Sequence, residues 1–252
     1  MRFAGIVEYD GSDFCGWQRQ SHSPSVQAAV ERAISRVANH EVGIACAGRT
    51  DTGVHALAQV IHFDTSVERD MHSWLLGINS NLPSNIVLKS IKLMPDEFHA
   101  RFSALSRSYR YIIANQKVRP ALLAKRVAWI HAPLDAELMQ QGADYLEGEH
   151  DFTSFRALAC QAKSPVRNIS KLSIRREGSM LMMDVTANGF LHHMVRNLAG
   201  VLISIGKKEH APEWAKQVLQ NRDRSLGGVT APAQGLYFMA VEYGTKYQLS
   251  ED

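Results

Sequence analysis

Six residues, Gly48 to Gly53, read GRTDTG and set an arginine, two hydroxyls and one carboxylate, Asp51, between two glycines. The preceding segment, Val42 to Ala47, is mostly apolar and is expected to be a strand; the following one, Gln59 to Asp64, alternates apolar and polar and is expected to be another. Asp51 would then sit on a turn between sheet elements, where a scaffold presents one side chain to a ligand. Gly and Asp are also ordinary turn residues, and Asp can bond its own backbone two residues on, so the turn needs a second feature to become a site. Arg196 offers one. It falls within Leu191 to Ile205, a run apolar nearly all round and therefore expected to be a buried helix. A guanidinium placed there stays charged and needs a partner: a structural carboxylate, a cluster of carbonyls, or Asp51. Beside an arginine, the Asp51 carboxyl would be held well below its ordinary ~3.9. It would be anionic at neutral pH, which suits a nucleophile or electrostatic stabiliser and not a general acid.

The stretch RSYRYII, Arg107 to Ile113, alternates strictly, with Tyr109, Tyr111 and Ile113 on one face and Arg110 and Ile112 on the other. Aromatics among arginines can stack bases while gripping phosphates; at least one of the two tyrosines is expected to be an ordinary core ring. His192 and His193 are adjacent on the expected helix, about 100° apart, and make no two-histidine metal face. No Cys or His stands at ligand spacing from them, so no metal is expected. His55, just after the turn, is expected to be structural. No Walker A, GxGxxG or GxSxG pattern occurs, which weighs against nucleotide hydrolases, dinucleotide-dependent enzymes and serine hydrolases.

Thirteen of the 28 Lys and Arg lie in two stretches without Asp or Glu. Phe98 to Leu134 holds Arg101, Arg107, Arg110, Lys117, Arg119, Lys125 and Arg126; Phe152 to Arg176 holds Arg156, Lys163, Arg167, Lys171, Arg175 and Arg176. The net charge is only +3, so partition rather than total points to a surface that holds polyphosphate. Solvated faces are the alternative. The three cysteines, Cys15, Cys46 and Cys160, form no CxxC pair, against a zinc ribbon or disulfide framework and in favour of a reducing compartment. The N-terminal residues lack an apolar stretch of signal-peptide length, and no run approaches a membrane span. A cytoplasmic protein is expected.

The elements that must position these residues follow from periodicity. A strand at Arg2 to Tyr9 precedes a helix capped by Ser23, with Pro24 in its first turn and apolar residues at helical spacing from Val26 to Val37. After the two strands around the turn come a helix at Asp70 to Asn79 and a strand at Ile86 to Leu93. This β-α-β-β-α-β order is ferredoxin-like. The pattern partly recurs: a strand at Tyr109 to Ala114, a helix at Leu134 to Leu146, a hairpin of Ile169 to Arg176 with Met180 to Asn188, helices at Leu191 to Ile205 and Pro212 to Gln220, and a closing strand at Leu236 to Tyr243. The expected fold is α+β: two ferredoxin-like halves, 1–105 and 106–252, with mixed, largely antiparallel sheets around a central cleft.

Seven motifs in order, DGSDFCGWQRQ, AGRTDTGVHA, FHARFSA, RSYRYII, DFTSFR, NGFLHHMVRN and QGLYF, resemble the tRNA pseudouridine synthase A family over nearly the whole chain. Thr52 departs from the Ala more usual there and keeps the site small. The resemblance implies isomerisation of uridine to pseudouridine at positions 38, 39 and 40 of the tRNA anticodon stem-loop. It implies Asp51 as the catalytic carboxylate, Arg49 as the residue filling the space of the flipped nucleotide, and Arg196 as the partner of Asp51. Tyr109 would stack on the uracil and Leu236 pack against it, with Arg107 and Arg110 as candidate RNA contacts. It further implies a homodimer that binds tRNA, not DNA or membrane, without cofactor or metal.

The chemistry fits those types. The base must leave its stack, at a cost of a few kcal/mol; a fixed anion must assist glycosidic cleavage; and the detached uracil must be held away from water. A nucleosidase would ordinarily use two carboxylates, and the turn offers one. A binding-only RNA protein would use the basic stretches equally well and leave the lone carboxylate unexplained.

Overall fold

The structure is a computed structural model describing residues 1–158 and 160–249. They form two compact units: Met1–Ser106 together with the chain from Phe238 on, and Arg107–Tyr237.

In the first unit the elements run β1 (Arg2–Tyr9), α1 (Val26–Ala38), β2 (Ala45–Cys46), β3 (His55–Asp64), α2 (Met71–Asn81) and β4 (Ile86–Met94). β1 pairs antiparallel with both β3 and β4, and β2 pairs antiparallel with β3. The resulting order β4-β1-β3-β2 is that of a ferredoxin-like sheet. α1 turns Val26, Ala29, Val30, Ala33 and Ile34 inward, the period-3.6 stripe expected of a helix on a sheet, and it packs beside α2. Phe3, Phe63 and Trp74 fill the core, with ring centroids 5.4 to 5.7 Å apart.

Three local expectations are corrected here. The cap of α1 is Ser25, not Ser23: its side chain accepts from the Ala28 amide, while the Pro24 carbonyl is taken by the Cys15 amide, outside the helix. The segment expected as a strand from Val42 to Ala47 is ladder-paired only at Ala45–Cys46. β3 instead begins four residues earlier than expected, at His55, so the sheet reaches almost to the GRTDTG turn.

In the second unit β5 (Ser106–Asn115), β6 (Ala128–Ile130), α3 (Ala136–Asp144), β7 (Gly148–Asp151), β8 (Val166–Glu177), β9 (Met180–Ala187), α4 (Met194–Gly206) and α5 (Trp214–Asn221) succeed one another. The strands order β7-β8-β9-β5, antiparallel throughout, with short β6 parallel to β5. β8 and β9 form the expected hairpin, turning at Gly178 with φ +58°. β6 and β7 carry no period-2 signal and were not expected. α3 packs on β8, and α4 packs on α3. The last strand, β10 (Leu236–Glu242), lies beside β3 in the first unit. The architecture is α+β, with largely antiparallel strands.

α4 starts at Met194, three residues later than the sequence suggests. His193 adopts the left-handed conformation, φ +63°, so neither His192 nor His193 is helical, and their rings pack 4.1 Å apart ahead of the helix.

Candidate active site

The turn that carries Asp51 is held from several sides within the first unit. Below it, the Ala47 amide donates to the Val60 carbonyl at 2.8 Å. Gln59, fully buried on β3, uses its amide group twice: Oε1 accepts from the Gly48 N–H and Nε2 donates to the Gly48 carbonyl. Thr50 is buried, its hydroxyl 2.7 Å from the Tyr9 hydroxyl at the end of β1. The Thr50 carbonyl accepts from the Trp17 amide at 3.0 Å. The turn closes with the Val54 amide donating to the Asp51 carbonyl at 3.2 Å and Gly53 at φ +76°. Asp51 itself is half-buried and Arg49 exposed.

Gly16 explains the DGSDFCGWQRQ segment. Its φ is +91°, and a Cβ there would lie 2.8 Å from the Thr50 carbonyl oxygen. Only glycine satisfies both conditions. Gly11 is tighter still, a Cβ there falling 2.0 Å from the Val54 carbonyl oxygen. The His55 ring is buried with Nδ1 3.1 Å from the Gly11 amide and 3.2 Å from an Asp10 carboxylate oxygen; the ring therefore ties this loop to the start of β3. Cys46 does not offer a nucleophile, because burial pushes its thiol up to about 11.

The other expected residues lie in the second unit. On β5, Tyr109, Tyr111 and Ile113 are buried on one face, as the alternation requires. Tyr111 is the core ring: it is fully buried, its hydroxyl donates to the Pro232 carbonyl at 2.8 Å, and burial pushes its pKa up. Tyr109 meets the Phe190 ring edge-on at 5.0 Å. Arg107 donates to the Asn188 carbonyl at 3.2 Å. Arg110 pairs with Asp184 directly across the β5–β9 ladder, Nε to Oδ1 at 2.6 Å and Nη2 to Oδ2 at 3.2 Å. Arg175 also approaches Asp184, at 3.4 Å, and bonds Glu177.

Arg196 sits in the first turn of α4, half-buried rather than fully enclosed as expected. Its Nε donates to the Ala231 carbonyl at 2.8 Å, and the Ala231 amide donates back to the Arg196 carbonyl at 3.1 Å. The strap bearing Ala231 can run there because Gly200 has no side chain: a Cβ would fall 1.8 Å from the Val229 carbonyl oxygen. The strap is also fastened by Asn197, which donates to the Phe155 carbonyl and accepts from Arg224 and Thr230. Leu236 is buried just after Gly235, where a Cβ would meet the Ile112 carbonyl and the Tyr111 ring within 2.9 Å.

The structure therefore places Arg49 and Asp51 on one buttressed turn, and Arg107, Arg110, Tyr109, Arg196 and Leu236 in the second unit. Residue patterns alone gave no role to Gly16, Trp17, Gln59, Phe190 or Ala231. Gly16, between the apolar pair Phe14–Cys15 and Trp17, was the one available signal, since a glycine there marks positive φ or a close backbone approach.

The tRNA pseudouridine synthase family model matches residues 6–103 and 143–244. The tRNA pseudouridine synthase A of Pseudomonas aeruginosa is 53% identical over 251 residues, covering 99% of this chain and 88% of that one. The protein of the same name from Vibrio cholerae is 51% identical, covering 100% and 95%, and that of Legionella pneumophila is 52% identical, covering 100% and 96%.

Proposed function

The chain belongs to the tRNA pseudouridine synthase family, and from that premise we propose that it isomerises uridine to pseudouridine at positions 38, 39 and 40 of the tRNA anticodon stem-loop, with Asp51 as its catalytic carboxylate. The observation that carries this reading is the turn itself. One carboxylate, flanked by glycines, is on a turn held by Tyr9 and Trp17 through Thr50 and by Gln59 through Gly48. Preorganisation of that kind is what an anion must have to act on a reacting centre without reorganising.

In the reaction the bond between ribose and N1 of uracil breaks, the ring turns, and its C5 bonds to the same ribose carbon. The hydrogen on C5 leaves as a proton and N1 takes one up, so atoms balance with no redox partner. Whether it acts as nucleophile, proton acceptor or electrostatic stabiliser, Asp51 must be ionised and immobile. Arg196 is the proposed partner of that carboxylate, and its orientation by the Ala231 carbonyl supports that role. Tyr109, braced edge-on by Phe190, and Leu236 are proposed to hold the uracil while it turns. Arg49, exposed on the turn, is proposed to take the place of the flipped nucleotide. Of the two candidate phosphate contacts, Arg107 is the stronger, because Arg110 is largely neutralised by Asp184. The protein is proposed to act in the cytoplasm as a homodimer.

The test is release of tritium from C5 of uracil in a labelled tRNA transcript. Wild type should release it, because C5 becomes the new glycosidic atom, and Asp51→Ala should not. Free uracil as product would instead indicate a nucleosidase. Binding of RNA by both proteins with no release by either would leave a binding protein.

A further inference from the structure

Arg167, the second residue of β8, is a half-buried guanidinium that pairs with no carboxylate among the described residues. One side of it is pinned: Nη1 donates to the carbonyls of Ser164 and Val166, at 3.0 and 2.6 Å. Its Nε edge lies over Gly189, 3.5 Å from where a Cβ would stand. Burial pulls its pKa below the ordinary arginine value, yet arginine stays charged in proteins. A desolvated charge fixed by main-chain carbonyls, with donors left over, is arranged for an anion from outside the fold.

The surroundings indicate which anion. The corner that Arg167 overlies is Asn188–Gly189, the exit of β9. Arg107 bonds the Asn188 carbonyl. Asn188 is itself locked to Asn168, its amide donating to the Asn168 carbonyl and its Oδ1 accepting from the Asn168 amide. The next residue, Phe190, braces Tyr109. Two guanidinium groups thus attend one rigid corner, immediately before the ring that supports the proposed base platform.

We infer that Arg167 and Arg107 form a phosphodiester site at the Asn188–Gly189 corner, which takes a backbone phosphate of the RNA strand whose base is received at Tyr109. This rests on the assignment of Tyr109 above. The site supplies the register in which the strand lies, since phosphate contacts position a nucleic acid without reading its sequence.

The experiment uses an anticodon stem-loop RNA with a neutral methylphosphonate at one linkage at a time around the target uridine. Binding is measured for wild type, Arg167→Gln and Arg167→Lys across a salt series. Arg167→Gln should bind roughly tenfold more weakly, the loss expected for one charged hydrogen-bond partner. Its log–log salt slope should be shallower by ~0.7 for a single-stranded contact. Arg167→Lys should keep the slope and lose part of the affinity. One methylphosphonate position should weaken wild type clearly more than Arg167→Gln, which keeps only Arg107 at that phosphate. An unchanged slope in Arg167→Gln, even with lowered thermal stability, would reduce Arg167 to a structural brace and overturn the site. So would a wild type indifferent to every methylphosphonate, an outcome independent of any variant's folding. Tritium release by wild type alongside either result would overturn the phosphate site alone; absence of release would instead remove the proposed reaction and, with it, the assignment of Tyr109 on which the site rests.

Discussion

At Gly16 the backbone has φ +91° and the Thr50 carbonyl leaves no room for a methyl group. Gly16→Ala should therefore cost on the order of 1–3 kcal/mol of stability, the usual cost of a side chain forced into a sparsely populated conformation. It should also lower turnover, because the displaced atoms are those of Thr50 and Asp51. Denaturant unfolding and the tritium assay check the two effects separately. Arg196→Met should cripple turnover more than RNA binding, and Arg196→Lys should rescue poorly, since an ammonium lacks the planar fork that meets a carboxylate. Full activity in Arg196→Met would remove that residue from the reaction. Gly200→Ala should act at a distance in the same direction: the strap at Val229 must move, and the Ala231 carbonyl that aims Arg196 moves with it.

Among the elements, β3 joins two kinds of histidine. His55 at its start ties the end of the Asp51 turn to the loop before α1. His62 near its end is buried, accepts the Ala100 amide at 3.2 Å and packs 4.5 Å from the His99 ring. Burial, with His99 and Arg2 nearby, lowers its pKa to about 4. Its folded value is below its unfolded value of about 6.5, so the unfolded chain binds the extra proton between those limits. Stability from this group is intact above pH 6.5, is lost as pH falls toward 4, and changes no further below that. Unfolding free energies at pH 7 and pH 5 should show the loss, and His62→Gln, which keeps an acceptor, should flatten it. On β5 the alternation buries both tyrosines on one face, and their partners differ: Tyr109 meets the Phe190 ring, and Tyr111 donates to the Pro232 carbonyl. Tyr111→Phe should cost about 1 kcal/mol for the hydrogen bond to Pro232, and its effect should appear in stability rather than in RNA affinity.

Over the whole molecule, charge is divided more sharply than the total suggests. Residues 107–237 carry eighteen Lys and Arg against eleven Asp and Glu, a net +7, and the rest carries ten against fourteen, a net −4. Twelve of the thirteen basic residues of the two acid-free stretches fall in the positive unit. RNA affinity should accordingly fall steeply with salt, and Arg107→Gln should flatten the log–log slope by ~0.7 while Arg110→Gln, whose charge is already met by Asp184, should change it less. Sedimentation equilibrium of the protein alone checks the proposed homodimer. No helix among the described residues is long and apolar enough to cross a membrane.

The chain's own pattern was sufficient to determine what depends on local chemistry. The 3.6-residue stripe of α1, the alternation of β5, the β8–β9 turn at Gly178 and the carboxylate between Gly48 and Gly53 are all legible because period and turn geometry are properties of neighbouring residues. What holds that carboxylate still was decided only by tertiary structure. Tyr9, Gly16, Trp17 and Gln59 converge on residues 48–52 from three separate segments, and nothing in one segment encodes the approach of another. The same limit explains the ends of elements. Ser25 displaced Ser23 as cap because the Pro24 carbonyl was wanted elsewhere, and α4 began late because His193 took a left-handed turn. Arg110 and Arg167 stand in similar basic runs, but the ladder gave Asp184 to Arg110 and left Arg167 with main-chain carbonyls. Their difference is a matter of register across strands, which only the folded sheet defines.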